Sequence, residues 1–151
     1  MVISCLRKTN VKDYSPEIID RVATNFTPEK IIALIESRSV FVVKQNNLII
    51  GTVSLDNNNI RSLFVLPEKQ NCGVGVYLIQ HIETIAKEQG LDCLTVPSSV
   101  TAEGFYKKLG YISLRDEYYD MERTIIMEKR ISELSDKKII RLLKSQDKKD
   151  P

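Results

Sequence analysis

The stretch QNCGVGVYLIQHIETIAKEQG, residues 70–90, decides the fold because it joins a glycine pair directly to an amphipathic helix. Leu78 and Ile82 begin the apolar face of that helix, and polar side chains occupy the opposite face. Gly73 and Gly75 lack a Cβ atom, so an anion can approach their backbone closely. The first N–H groups of a helix are unpaired and favour negative charge. These residues alone leave open a phosphate-binding loop and a simple tight turn, of which the turn is commoner.

Two nucleotide-binding motifs are not met. A dinucleotide-binding fingerprint needs a third glycine in G-x-G-x-x-G, but Leu78 stands at that position. The phosphate loop G-x-x-x-x-G-K-[ST] does not occur in the sequence. Nucleotide binding by either route is therefore disfavoured.

The composition is that of one ordinary globular domain. The chain has 151 residues, of which 42% are hydrophobic and 28% are charged. The net charge of +2 gives no argument for a nucleic acid or a membrane surface as a partner. No apolar run reaches the roughly 20 residues of a membrane helix, and the N-terminus lacks the apolar core of a signal peptide. We therefore expect a cytoplasmic protein.

The cysteines give no sign of a metal site. Cys5, Cys72 and Cys93 are widely spaced and odd in number, and His81 is the single histidine. We expect no zinc site and no disulfide framework, but reduced thiols. Cys5 and Cys93 fall in predicted strands, whereas Cys72 lies in the glycine loop, where its backbone N–H is expected to matter more than its thiol.

The first half of the chain predicts a strand, two helices and a meander. VISCLR is the strand, and Ser15 and Thr27, each followed by proline, are predicted helix caps. Three runs rich in β-branched residues then predict an antiparallel meander, because turn-like asparagines separate them. These runs are SVFVVK, LIIGTVSL and IRSLFV.

The second half predicts a parallel crossover. After the helix of residues 70–90, the apolar run LDCLTV predicts a central strand parallel to the preceding one. A short helix in TAEGFYKKLG and a final strand pair, YISLR and RTIIMEK, follow. We predict an α/β (α+β) domain with a mixed, mostly antiparallel sheet flanked by helices. Residues 1–131 form the domain, and residues 132–151 are its C-terminal helical extension.

Two motifs at a fixed spacing resemble those of the GNAT superfamily of N-acetyltransferases, in its small single-domain bacterial or archaeal type. The first is an apolar strand followed by [Q/R]-x-x-G-x-[G/A], here QNCGVG, residues 70–75. The second is N-x-x-A-x-x-F-Y-x-K-x-G-[F/Y], which SSVTAEGFYKKLGY matches except that Ser99 replaces the asparagine. The order of elements also matches, so the resemblance covers roughly residues 1–131. The matching positions of the second motif are Ala102, Phe105, Tyr106, Lys108, Gly110 and Tyr111.

The resemblance implies a site for acetyl-CoA between the fourth and fifth strands. In the family these strands splay apart, and the pantetheine arm enters like an added strand. A bulge in the fourth strand would aim an N–H at the thioester carbonyl. Ser99 would either bond the pantetheine or cap the helix that starts near Thr101, and both alternatives stay open. The implied cofactor-binding residues are Leu63, Phe64 and Val65 for pantetheine, Gln70, Asn71, Cys72, Gly73, Val74, Gly75 and Val76 for pyrophosphate, and Ser99, Ala102, Phe105 and Tyr106.

The resemblance also implies direct attack by a neutral primary amine on the acetyl thioester, with both substrates bound. Tyr106 would be the general acid for the departing thiolate, since a tyrosine pKa of about 10 is near a thiol pKa of about 8.5. No general base is assigned, because Arg61 and Ser62 occupy the strand where some members carry a glutamate. Water chains to Glu17, Glu103 or Glu117 are conceivable, although exposed carboxylates are usually just solvated.

The acceptor is left open as an amine of a small molecule or of a peptide. The specificity segments are expected to be residues 15–37 and the predicted loop 116–121. The overlapping stretch RDEYYD, residues 115–120, is acidic and aromatic, so it could attract a cationic amine or be an ordinary hairpin turn. The alternative function is a non-catalytic CoA-binding sensor or interaction module. The amphipathic tail could pack on a second subunit, giving a homodimer, or on an edge of its own sheet.

Overall fold

The computed structural model describes residues 13–132 of the 151-residue chain. The predicted first strand, residues 2–7, and the tail beyond residue 132 lie outside the described residues. The division into residues 1–131 and 132–151 therefore stays a prediction. Strands are numbered here from the second predicted strand, so that the predicted fourth and fifth strands are β3 and β4.

The two early helices begin where their caps predict. Helix α1 spans Pro16–Ala23, and the Ser15 hydroxyl accepts a hydrogen bond from the N–H three residues on, at 3.3 Å. Helix α2 spans Pro28–Ser37, and the Thr27 hydroxyl accepts the equivalent bond at 3.4 Å. Each hydroxyl satisfies a donor that the helix leaves unpaired. Both predicted helices are thus confirmed.

Between residues 13 and 132, six strands form one sheet in the order β1-β2-β3-β4-β6-β5. Every neighbouring pair is antiparallel except β3 and β4. Helix α3, Val74–Glu88, connects these two parallel strands, as the sequence predicts. The mixed, mostly antiparallel sheet flanked by helices is confirmed. The remaining elements are β1 Ser39–Gln45, β2 Leu48–Asp56, β3 Asn59–Val65, β4 Cys93–Ser99, α4 Glu103–Lys108, β5 Ile112–Tyr119 and β6 Glu122–Arg130.

The prediction that residues 116–121 form a loop is wrong. Strand β5 continues through Tyr119, which pairs with Glu122 of β6, so that only Asp120 and Met121 form the turn. All side chains of β5 are exposed at this edge of the sheet. A strand without a buried face lacks the apolar alternation by which strands are recognised in a sequence.

The core lies between α3 and the sheet. Leu78, Ile79 and Ile82 of α3 are no more than 2% exposed and pack in one cluster with Ile60 of β3 and Met127 of β6. This burial confirms the apolar face predicted for residues 70–90 and fixes the start of α3 against the sheet. No helix within residues 13–132 is long and apolar enough to cross a membrane.

Strands β3 and β4 separate after their first residues. Their parallel ladder aligns Asn59 with Thr95, and the Thr95 N–H donates to the Asn58 carbonyl at 2.9 Å. In contrast, β4 is paired with β6 along its whole length. The sheet is therefore two halves joined at one end, with a gap that opens toward Val65 and Ser99.

Candidate active site

A cavity of about 810 Å³ fills the gap between β3 and β4. Its walls come from both strands, from the loop that precedes α3, and from helices α1 and α4. All the predicted cofactor-binding residues except Cys72 and Val74 line it: Leu63, Phe64, Val65, Gln70, Asn71, Gly73, Gly75, Val76, Ser99, Ala102, Phe105 and Tyr106.

The two predicted residues outside this lining have other surroundings. The Cys72 thiol is exposed and lies 3.4 Å from the Gln70 carbonyl oxygen. The Val74 side chain packs against β2 instead. Its Cγ1 would lie 2.8 Å from a Cβ atom added to Gly51 of that strand. Their side chains therefore do not shape the cavity.

The glycines before and within α3 serve different purposes. Gly73 is the N-cap of α3 with φ of 85°, a left-handed conformation in which L-residues with a Cβ are strained. Gly75 lies against α4, since an added Cβ atom would lie 3.1 Å from the Phe105 ring. The Gln70 side-chain amide donates to the Val65 carbonyl at 3.0 Å, which ties the loop to the end of β3.

A β-bulge interrupts β3 at the cavity wall. Phe64 pairs with Thr52 and Arg61 pairs with Ser54, so β3 has one residue more than β2 over this interval. The additional residue lies at Ser62–Leu63, and Ser62 has φ of 54°. A bulge redirects the local N–H and C=O groups away from the ladder. The bulge predicted for this strand is therefore confirmed.

Tyr106 is buried in the wall of the cavity that α4 provides. It is 3% exposed, and its ring contacts Phe105 and Tyr111 edge to face, with centroids 5.2 and 5.6 Å apart. Burial raises the pKa of Tyr106 above its ordinary value, because the charged phenolate is poorly solvated there. The phenol is thus neutral and holds its proton at neutral pH.

Ser99 stabilises the turn before α4 and does not cap the helix itself, whose N-cap is Ala102. Its hydroxyl accepts a hydrogen bond from the Ala102 N–H at 3.2 Å, just before α4 begins. The same hydroxyl group lines the cavity and still has a proton to donate. The hydrogen bond to the turn and contact with a ligand are therefore compatible at this position.

Residues 10–130 of the chain match the family described as an acetyltransferase (GNAT) domain. An uncharacterized N-acetyltransferase of Chlorobaculum tepidum is 32% identical over 133 residues, which cover 77% of this chain and 80% of that protein. The chain belongs to the GNAT acetyltransferase family. This membership confirms the predicted family and the predicted enzyme class, an acetyl-CoA-dependent N-acetyltransferase.

Other GNAT proteins are similar over most of this acetyltransferase. The peptidyl-lysine N-acetyltransferase YjaB of Escherichia coli is 29% identical over 110 residues, covering 72% of this chain and 68% of that protein. A GCN5-related N-acetyltransferase of Rhodopseudomonas palustris has a TM-score of 0.80 at 23% identity, covering 85% of this chain and 84% of that one. The PaiA N-acetyltransferase of Thermoplasma acidophilum, solved in complex with coenzyme A, has a TM-score of 0.70 at 22% identity, covering 85% and 87% of the two chains. The two structures share the fold of this GNAT domain.

Tyr14 is a residue of the site that the sequence analysis missed. Its hydroxyl accepts from the Val100 N–H at 2.6 Å and donates to the Arg123 carbonyl at 3.0 Å, both on the β4–β6 side of the cavity. Burial raises its pKa above the ordinary value. A sequence signal existed, since Tyr14 precedes the Ser15 cap and packs near Ile19, the arrangement of a hydrophobic staple.

The glutamates considered as bases do not line the cavity of this acetyltransferase. Glu103 accepts from the Ser113 hydroxyl at 3.0 Å, and Glu117 pairs with Arg115 at 3.0 Å. Glu17 is likewise absent from the lining. A different carboxylate, Glu122 at the start of β6, does line it, and its side chain is 29% exposed. No motif or periodic pattern marks Glu122 in the sequence, because only the chain's return through β6 brings it to the gap.

Among the described residues, three cations also line the cavity, and the sequence analysis assigned none of them to substrate binding. Lys69 ends a short 3-10 turn directly before Gln70, which puts an ammonium group beside the glycine loop. Arg38 lies between α2 and β1, and Arg61 lies in β3 next to the bulge. The cavity thus has positive charge near both the loop and the bulge.

Proposed function

We propose that this GNAT domain transfers the acetyl group of acetyl-CoA to a primary amine of a small molecule or peptide by direct attack, with Tyr106 as the general acid. The observation that carries the proposal is the gap between β3 and β4, which has a glycine loop at its mouth and a buried tyrosine in its wall. Family membership supplies the reaction class.

The two parts of acetyl-CoA match the two ends of the gap. Beyond the Asn59–Thr95 pair, the facing edges of β3 and β4 are not paired with each other, so a pantetheine arm can hydrogen-bond to a strand edge there. The pyrophosphate would meet the backbone N–H groups that open α3, whose first turn carries no acidic residue. Lys69 supplies a nearby cation.

In the transfer step the amine nitrogen forms a bond to the acetyl carbon, and the carbon–sulfur bond breaks. An N–H at the Ser62–Leu63 bulge would stabilise the charge on the thioester oxygen. The Tyr106 hydroxyl gives its proton to the leaving sulfur, and the phenolate then takes back the proton that the new amide has lost, directly or through water. The raised pKa of Tyr106 keeps its proton in place until the thiolate leaves.

The test measures acetyl-CoA binding and free thiol separately. Saturating acetyl-CoA should raise the melting temperature, since a ligand that binds only the native state stabilises that state. At a ligand concentration of a hundred times Kd, the free energy of unfolding rises by about 2.7 kcal/mol. A panel of primary amines should then release CoA thiol. No thermal shift would contradict both CoA binding and transfer, whereas a shift without thiol release from any amine would favour the non-catalytic sensor.

A further inference from the structure

A second, smaller recess of about 510 Å³ lies beside the bulge, on the side of helices α1 and α2. Val22 and Phe26 form part of its apolar wall, and they line the large cavity as well. Arg38, Ser62 and Glu122 are also shared by the two linings. The recess therefore joins the cavity at the bulge, where the acetyl group is proposed to lie.

The Arg38 guanidinium faces this junction with only weak contacts. Its side chain is 18% exposed, and within residues 13–132 its contacts are 3.5 Å to the Ser62 hydroxyl and 4.0 Å to the Asp56 carboxylate. Both distances lie at the outer limit of a bond, and a guanidinium has five N–H donors to satisfy. A partly buried cation of this kind is poorly compensated by its surroundings.

Asp56 does not neutralise Arg38, because it is shared. The Arg61 Nε lies 3.2 Å from the same Asp56 oxygen, so two guanidinium groups face one carboxylate. Burial and the neighbouring Arg61 charge lower the pKa of Arg38. The wall of the recess next to the bulge therefore carries an excess positive charge, which a bound anion would offset.

The other charged groups of the recess do not reverse this balance. Lys30 adds a second cation to the lining, and Glu122 is its one carboxylate among the described residues. Glu122 is already paired with Arg21 at 3.4 Å. A polyamine or another acceptor with several positive charges would therefore meet net repulsion there.

We propose that the acceptor is a small amine that also carries an anionic group, a carboxylate or a phosphate, and that Arg38 binds this group. The inference rests on the proposed acetyl transfer and specifies its substrate class. The anion binds at Arg38, on the half of the sheet formed by β1, β2 and β3. Glu122 lines the recess from the half formed by β4, β5 and β6, where it stays paired with Arg21. Arg38 is thus a specificity-determining residue of this site.

The test compares matched pairs of amines. Each pair consists of an amine with an anionic group and its neutral counterpart: amino acids of increasing chain length with their carboxamides, and phosphoethanolamine with ethanolamine. The two kinds of pair distinguish a carboxylate from a phosphate as the preferred anion. We expect a kcat/KM at least about tenfold higher for the anionic member of the best pair, because a hydrogen bond to a charged group has this strength.

The variant Arg38→Gln should reduce this preference to near unity by raising KM for the anionic amine, with the neutral amine little affected. Arg38→Lys keeps the charge but not the planar fork, so it should retain part of the preference. Arg115→Gln is the matched control, since Arg115 is an exposed arginine paired with Glu117 outside both recesses, and it should behave as wild type. Thermal stabilisation by acetyl-CoA checks that each variant is folded.

The outcomes separate this inference from the proposed function. Turnover of amines with no preference for an anionic group overturns the inference and leaves acetyl transfer standing. An equal loss for both members of each pair in Arg38→Gln also overturns it, because Arg38 would then only position the Ser62 bulge. If Arg38→Gln does not fold, free carboxylate or phosphate must instead inhibit the wild type in competition with the amine, and an absence of such inhibition overturns the inference. No thiol release from any amine overturns transfer and inference together.

Discussion

Replacing Tyr106 by phenylalanine tests the proposed general acid with little disturbance of the fold. The side chain is 3% exposed, and phenylalanine keeps the ring contacts with Phe105 and Tyr111. The unfolding free energy should therefore change by no more than about 1 kcal/mol, the usual net contribution of one hydroxyl hydrogen bond. The loss should appear in turnover instead.

The size of this loss follows from the environment of the phenol. A positioned general acid contributes roughly 10²–10⁴ in rate. Burial raises the pKa of Tyr106 further above that of a thiol, which makes it a weaker donor. We therefore expect the lower end, a kcat reduced by about a hundredfold, or about 2.7 kcal/mol in activation free energy. The dissociation constant of acetyl-CoA should stay unchanged.

The pH profile provides an independent check of the same role. Because burial raises the pKa of Tyr106, its proton is present throughout the range below the ordinary tyrosine pKa of about 10. As pH rises through this range, kcat/KM should increase while the acceptor amine loses its proton, and no falling limb from Tyr106 should appear. A falling limb that disappears in Tyr106→Phe would mean that the folded enzyme has a much more acidic phenol than its burial implies.

Tyr111→Phe is the matched control. This tyrosine is also buried and touches Tyr106, but its hydroxyl donates to Glu83 at 3.2 Å and does not line the cavity. Removal of the Tyr111 hydroxyl should lower the free energy of unfolding by about 1–3 kcal/mol, since a hydrogen bond to a charged group is lost. The kcat of this variant should stay near that of the wild type. The acid role of Tyr106 is refuted if Tyr106→Phe keeps kcat within about threefold and raises only KM for acetyl-CoA, because Tyr106 would then be a wall of the pocket.

Three further substitutions test the frame of the site. Gly75→Ala puts a Cβ 3.1 Å from the Phe105 ring, so we expect about 1–3 kcal/mol of destabilisation in thermal unfolding and weaker acetyl-CoA binding. Adding Phe105→Leu should recover part of the stability. Tyr14→Phe removes the hydroxyl that joins Val100 to Arg123, so the free energy of unfolding measured by urea titration should fall by about 1–3 kcal/mol. An unchanged urea midpoint would contradict a stabilising role for this hydroxyl. Ser99→Ala should lower the free energy of unfolding by less than about 1 kcal/mol, since the Ala102 N–H also donates to the Ser99 carbonyl at 3.2 Å. A raised Kd for acetyl-CoA in this variant would identify Ser99 as a pantetheine contact.

The features that the sequence predicts well are those with a local cause. Ser15 and Thr27 mark helix starts because each cap acts within one turn. The glycine loop and the apolar face of α3 are likewise encoded in neighbouring residues. The gap between β3 and β4 has no such local sign, because residues 60–65 read as an ordinary strand, and its prediction depended on the resemblance to a family.

The acceptor side is less predictable for the same physical reason. Arg38 lies where α2 ends and Glu122 lies where β6 begins, far apart in the chain. They line one recess only because of the strand connections. The β1–β2–β3 meander brings the bulge beside Arg38, and the β5–β6 hairpin brings Glu122 to the gap. Neither residue belongs to a periodic pattern or a motif. Because their role depends on such long-range contacts, Arg38 and Glu122 cannot be distinguished from ordinary surface charges in the sequence.

The contact between Gly75 and Phe105 links the two parts of the proposed mechanism. Gly75 belongs to the first turn of α3, next to the proposed pyrophosphate site, and Phe105 directly precedes Tyr106 in α4. A side chain at position 75 would push on the helix that positions the acid, and proton transfer requires the acid to stay within hydrogen-bond reach of the sulfur. Gly75→Ala should therefore lower kcat as well as cofactor affinity, whereas a substitution that acts on phosphate binding alone would leave kcat unchanged at saturating acetyl-CoA. A normal kcat in folded Gly75→Ala would show that α4 holds Tyr106 independently of the loop.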